Sequence, residues 1–309
     1  MNVSTLSSRH LAYLALAAIC LIWGTTYTAI KYAILYFPPY LMVGIRQTSA
    51  GLLLLVLVFL TGQWARSRAS LSPRYLFLQA VIGVVTITGG NGFITWGMQY
   101  VSSGLAAVIG SLTPIVVLLI QFSWHRRGER LSGYTLSGVL LGFAGLGLIF
   151  NQGWTDFLNP DYRWGILGCF ASCFTWSMGT VMAKRLNAPA VSPMVNASIQ
   201  VTAGGLGGLL LSWTLDSTAH IQHHWQGWSA LLYLILVGSA LAFSLYMFVL
   251  KQLSATAASL YTYINPVVAV LLGWWVLKEP LHWLEAVGMS VTLVGVWLVN
   301  RGESTPSEA

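Results

Sequence analysis

Apolar residues fill this chain in long runs, and short polar stretches separate them. A helix that crosses a bilayer needs about 20 mostly apolar residues. Ten runs reach that length: Leu11–Lys31, Tyr40–Leu60, Tyr75–Met98, Gly104–Trp124, Ser132–Phe150, Trp164–Lys184, Met194–Leu215, Trp228–Leu250, Ala257–Leu277 and Trp283–Asn300. The connections are short, and the chain turns polar after Arg301, so residues 301–309 are expected to form a disordered tail. The pattern predicts an all-α polytopic membrane protein, one membrane domain over 1–309 with no room for a soluble one. The first run is expected to stay as a spanning helix. It is too long for the apolar core of a signal peptide, and no small-x-small cleavage site follows it.

The runs repeat. Ser102, Ala106, Pro114, Val116 and Leu119 recur 152 residues later as Ser254, Ala258, Pro266, Val268 and Leu271. Glu129, Leu131, Gly138 and Gly145 recur after 150 as Glu279, Leu281, Gly288 and Gly295, and Cys20, Trp23 and Lys31 after 153 as Cys173, Trp176 and Lys184. The unit therefore holds five runs, 11–150 and 164–300. An odd number of spans turns the second copy upside down relative to the first. Inverted repeats of this kind place a substrate site near the membrane midplane between the halves. The expected fold is ten transmembrane helices in two inverted five-helix repeats around a central cavity.

Composition agrees with lipid as the solvent. Of 309 residues, 56% are hydrophobic and only 7% charged, with a mean hydropathy of +0.71, where a soluble domain carries about 25% charged residues. The net charge of +7 is spread between apolar runs, which argues for topology signals and against nucleic-acid binding. One set of loops and ends carries Arg9, Arg66, Arg68, Arg74, Arg126, Arg127, Arg130, Lys184, Arg185, Lys251 and Arg301, eleven in all; the other carries four, Lys31, Arg46, Arg163 and Lys278. By the positive-inside rule both termini are cytoplasmic, in a multi-pass cytoplasmic (inner) membrane protein. Cys20, Cys169 and Cys173 all lie inside apolar runs and read as reduced packing residues rather than a disulfide framework.

Several groups stand out at membrane depth. Pro114 and Pro266 sit mid-run, each removing a helical hydrogen bond and freeing the carbonyl four residues earlier, at Gly110 and Thr262. Both are expected to kink their helices and shape the cavity. Asn91, Asn265, Tyr246, Tyr261 and Tyr263, with the aromatic faces of Trp23, Tyr27, Trp96 and Trp176, are the candidate substrate-binding set. The competing account of the same residues is interhelical hydrogen bonding. No Asp or Glu lies near the middle of any run, which argues against a proton antiporter built on a buried carboxylate. Phosphorylated substrates would call for several Lys or Arg in the cavity. Only Lys31 and Arg46 could reach it, and both lie near the outer end, where snorkelling is the favoured account of them. The expected cavity is thus neutral, aromatic and amide-lined, suited to an amphipathic zwitterion or a neutral metabolite.

His220, His223 and His224 are read as a solvated loop and not a metal site, and no catalytic constellation or phosphate-binding loop is present, so neither an enzyme nor a cofactor is expected. Glycine pairs spaced for close helix contact, Gly138/Gly142 and Gly204/Gly208, are expected to be used within one chain, in keeping with a monomer.

In order, Ile22-Trp23-Gly24-Thr25, Arg46, Pro114, Gly128-Glu129-Arg130-Leu131 with Gly138 and Gly145, then Pro266, Glu279-Pro280-Leu281, Gly288 and Gly295 resemble the EamA-type branch of the drug/metabolite transporter superfamily over about 11–300. Trp176-Ser177 departs from the pattern, and Gln200 stands where an arginine matching Arg46 would fall. The resemblance implies a ten-helix export carrier for small metabolites, with amino acids, aromatic ones among them, as one subgroup's cargo. The partners expected are then a small-molecule substrate and the bilayer. The alternatives are a multidrug exporter of organic cations and, of another class, a membrane enzyme or sensor.

Overall fold

The computed structural model describes residues 8–124, 133–151, 160–216, 221–279 and 283–304, some of them, Tyr263 included, by their backbone alone. Among the described residues the regular structure is entirely helical. Seven helices are long and apolar enough to cross a membrane: α1 (Ser8–Ala33), α2 (Pro39–Leu60), α3 (Pro73–Gly97), α4 (Ser103–Trp124), α6 (Pro160–Leu186), α7 (Pro193–Leu215) and α8 (Trp225–Gln252). With them go α5 (Gly133–Asn151), α9 (Ile264–Leu277) and α10 (Trp283–Ser304). Large apolar side chains such as Leu60, Trp213 and Trp275 face outward, as a lipid-facing surface requires. This is a polytopic membrane protein. Each helix begins and ends within a few residues of its apolar run, except that α9 begins at Ile264, well inside the run that starts at Ala257. Helical geometry continues to Ser304, past the end of the apolar pattern, and residues 305–309 lie outside the described ones.

Glycines set how closely the helices approach. Gly44, Thr48 and Gly51 of α2 meet Gly208, Gly205 and Thr202 of α7, the numbers rising on one helix as they fall on the other, so the pair is antiparallel. The same holds for α5 against α10, where Gly142 meets Gly295 and Gly145 meets Thr292. Gly204 lies against Gly83 and Ile87 of α3. Both predicted glycine pairs are therefore used inside the chain, because apolar helices in lipid gain from close van der Waals approach and small residues permit it.

Four helices are not regular. In α3 the stretch Val84–Asn91 winds as a π-helix, and 150 residues on so does Leu234–Leu241 of α8. The apolar pattern gives no sign of this. Within α4 the helix breaks at Ser111-Leu112, between Ser103–Gly110 and Thr113–Trp124. Pro114 is the second residue of the lower piece, where its missing N–H costs nothing. Before α9 the chain makes a short turn, Ala255–Ala258, and a 3-10 segment, Ser259–Tyr263, so that Pro266 falls near the start of the regular helix. The predicted kinks are thus helix restarts.

Acidic and basic groups tie helix ends. Glu279 accepts from Ser103 N at 3.0 Å and from Ser103 Oγ at 2.6 Å, at the N-terminus of α4, where the helix dipole favours an anion. Glu129 lies outside the described residues. Lys31 donates to the carbonyls of Met98 (2.5 Å) and Val101 (2.9 Å) just past α3. Lys184 does the same to Leu250 (2.8 Å) and Leu253 (2.6 Å) at the end of α8. Snorkelling, the expected reading of Lys31, is replaced by a helix C-terminal cap, a position where a cation satisfies orphan carbonyls. Replacing Lys31 by Met is expected to lower the melting temperature of the detergent-solubilised protein. Hydrogen bonds to a charged group are worth about 1.5–3 kcal/mol, and an unchanged melting curve would show the cap to be idle.

Candidate functional site

Two large hydrophobic clusters fill most of the bundle, with a small third one around Val58, Val191 and Val195. One gathers the first half of α1 with the later halves of α4, α6 and α8; the other gathers the end of α1 with the ends of α3 and the starts of α4, α6 and α8. Between them, at mid-depth, lies a cavity of about 80 Å³, room for several waters. Both π segments reach it, through Ile87, Gly90 and Asn91 from α3 and Gly238 and Ser239 from α8. A π turn disturbs the regular backbone ladder, and here the carbonyls of its residues bond to side chains. The Gly90 carbonyl accepts from Ser172 Oγ at 2.7 Å, and the Gly238 carbonyl from Trp23 Nε1 at 3.1 Å. The helix break of α4 brings Gly110 and Thr113 to the wall, and the 3-10 segment brings Tyr261 and Thr262. Thr113 Oγ1 donates to the Gly110 carbonyl at 2.6 Å, so the carbonyl that Pro114 frees is met locally.

Five aromatic rings close the cavity toward the end of the bundle where α1 begins. Trp23 and Trp176, counterparts in the repeat, meet edge-to-face with centroids 5.4 Å apart. Tyr261 packs on Trp23 at 4.5 Å, and Tyr246 lies 5.2 Å from Trp23 and 5.8 Å from Phe243. Tyr246 is completely buried, and its hydroxyl shares a 2.6 Å hydrogen bond with Thr180. Edge-to-face pairs are worth about 0.5–1.5 kcal/mol each beyond the area they bury, so the cluster is a cohesive floor. On the opposite side stand Tyr27, Ile30 and Ile94. The Tyr27 hydroxyl is so close to α4 that a Cβ at Gly110 would fall 2.6 Å from it.

Of the sequence-derived set, Trp23, Tyr27, Asn91, Trp176, Tyr261 and Asn265 line this one cavity. Tyr246 stands behind Trp23 in the floor. Trp96 is turned elsewhere, packed on Gly168 and Tyr100, and the Tyr263 side chain lies outside the described ones. Pro114 and Pro266 are buried but off the wall, and they act through the breaks they accompany. His223 and His224 stack on Trp228 and Tyr36, and His220 lies outside the described residues. The three cysteines are buried thiols, with Cys173 on the cavity wall.

The profile of the EamA-like transporter family matches residues 10–151 and again 163–301. The chain belongs to the EamA-like transporter family. It is 32% identical over 291 residues to the uncharacterized inner membrane transporter YedA of Escherichia coli K12, covering 94% of this chain and 90% of that one. It is 28% identical over 287 residues to the uncharacterized transporter YvbV of Bacillus subtilis, with 93% and 90% covered. A chloroplastic WAT1-related protein of Arabidopsis thaliana is 30% identical, with 91% and 67% covered. One crystal structure superposes with a TM-score of 0.70 over 95% of this chain and 98% of the other at 20% identity, a likeness of fold. The family and the transporter names of these relatives point to a membrane transporter.

The EamA-like cavity holds one residue whose role the sequence reading misjudged. Arg46 is only 2% exposed and lines the cavity. Its Nε donates to Ser239 Oγ at 2.7 Å and its Nη2 to the Gly238 carbonyl at 3.3 Å, while Nη1 has no partner. Snorkelling fails on length. Arg46 is the eighth residue of α2, and at about 1.5 Å per residue that is roughly 10 Å below the helix end. The expectation of a neutral cavity is corrected with it. Thr26, Gln47, Ser172 and Ser239 are further polar members that the reading passed over, since a Ser or Thr in a helix gives no outward sign of which neighbour it meets.

Proposed function

We propose that this protein exports small amphipathic metabolites, above all amino acids with apolar or aromatic side chains. It would do so by alternating access between two inverted five-helix halves. The observation that carries the reading is the mid-depth cavity, with an aromatic floor on one side and polar groups from both halves around it. Inversion is supported by three features: π segments 150 residues apart, lysine caps 153 residues apart, and antiparallel packing of α2 on α7 and of α5 on α10. In a symmetric carrier of this type the binding site stays in place while the two halves rock around it. Trp23, Tyr27, Asn91, Trp176, Tyr261 and Asn265 are the residues proposed to meet the substrate, with Tyr246 holding the floor. The loop charges and the inner-membrane relative support an inner-membrane carrier with both termini in the cytoplasm. The intramolecular use of the glycine pairs supports a monomer.

Among the described residues no carboxylate lines the cavity, which favours uncoupled passage and speaks against an organic-cation exporter. The test is uptake of a broad amino-acid panel by proteoliposomes holding the purified protein, with and without an imposed pH gradient. Phenylalanine, tryptophan or leucine should move, at a rate the gradient leaves unchanged. If nothing in the panel moves, the substrate class is wrong; a gradient-driven rate would point instead to proton coupling.

A further inference from the structure

From the surroundings of Arg46 we infer that the cavity contains a carboxylate-binding subsite, and that its substrates are monocarboxylates with an aryl or alkyl body. This rests on the transport reading above and names the substrate class of the same site. A guanidinium this deep is costly. An arginine at mid-membrane is tolerated where it pairs or lines a cavity. Arg46 has no carboxylate near it among the residues lining the cavity, and its neutral partners, Ser239 Oγ and the Gly238 carbonyl, leave Nη1 without a hydrogen bond. The site therefore holds one unneutralised positive charge and one unused donor group. Guanidinium donors are arranged to meet a carboxylate, and such charge-assisted bonds are about twice as strong as neutral ones.

The rest of the wall sets the size of the charge and the nature of the body. Lys31 is spent on the Met98 and Val101 carbonyls, which leaves a single cation for the ligand. One charge suits a monoanion and not a phosphate ester, which calls for several donors of positive charge. Trp23, Trp176, Tyr261 and Phe243 offer an apolar, aromatic surface to the other end of the substrate. With no acidic side chain among the described residues of the wall, an α-amino group finds no counter-charge there. The carboxylate, not the ammonium, is the recognised end.

Three labelled probes of one shape separate the possibilities: phenylalanine, 3-phenylpropanoate and phenethylamine, offered at equal concentration to proteoliposomes of the full-length protein. Wild type is expected to carry both carboxylates and to discriminate against the amine by ~10- to 100-fold, the worth of hydrogen bonds to a charged group. Arg46→Gln should cost the carboxylates a similar factor without slowing the amine, which loses a like-charge repulsion, so that the selectivity collapses, and Arg46→Lys should restore part of it. A purely structural arginine would lower all three probes together. If wild type carries phenethylamine as well as phenylalanine, the subsite is overturned and transport of aromatic amino acids stands. Should wild type carry none of the three and nothing from the wider panel, the transport reading itself fails. The wild-type comparison decides the matter even if Arg46→Gln does not fold.

Discussion

A Gly145→Leu variant is expected to give no folded protein. A Cβ at Gly145 would lie 2.5 Å from the backbone nitrogen of Thr292 and 2.6 Å from the carbonyl oxygen of Gly288, both on α10. Neither atom belongs to a flexible side chain that can swing away. The helices must separate instead, and separation breaks the opposite contact of Gly295 with Gly142 on the same interface. Overpacking in a core that can adjust costs about 1–3 kcal/mol; a backbone-to-backbone clash has no such relief. Gly133→Leu is the control, because nothing described lies within 4 Å of a Cβ added there. Size-exclusion profiles of the two variants in detergent check the contrast. A monodisperse Gly145→Leu protein with normal yield would mean that α5 and α10 are not packed as described.

The next largest effect is expected at Trp23. Its ring touches Trp176, Tyr246 and Tyr261, and its Nε1 donates to the Gly238 carbonyl inside the α8 π segment. Trp23→Ala removes the centre of the aromatic floor. In soluble cores such a truncation costs about 3–5 kcal/mol, and here the hole opens on the cavity itself. Both the melting temperature and the uptake of phenylalanine should fall sharply. Trp23→Phe keeps an aromatic ring and loses the N–H, so it should cost closer to the ~1 kcal/mol of one hydrogen bond. Alanine and phenylalanine variants with equal melting and equal uptake would remove Trp23 from the floor.

Much of this arrangement is legible in the amino-acid order, and particular residues show where legibility stops. Trp23 and Trp176 are found by their spacing of 153 and do meet across the middle of the bundle. Tyr261 and Asn265 are found by lying beside Pro266, and both reach the cavity. Trp96 has the same chemistry and membrane depth but turns to Gly168 instead, because aromatic character says nothing about which face of a helix looks inward. Arg46 is a different case. The sequence allows it to reach the cavity or to snorkel to the interface, and only its bond to Ser239 on α8 separates the two.

The sequence by itself determined the helical class, the order of the spans, the twofold repetition and most of the aromatic set. Those follow from run length, periodic recurrence and the cost of exposing backbone to lipid, all of which act locally along the chain. Only the tertiary structure decided where the helices stop being regular and which polar groups share one space. The π turns of α3 and α8 and the break in α4 lie where helices press together, at the contacts of Gly90 with Trp176, Gly238 with Thr26 and Gly110 with Tyr27. The bond from Arg46 to Ser239 joins residues 193 positions apart. No local pattern encodes such a meeting, because what fixes it is the packing of α2 against α8.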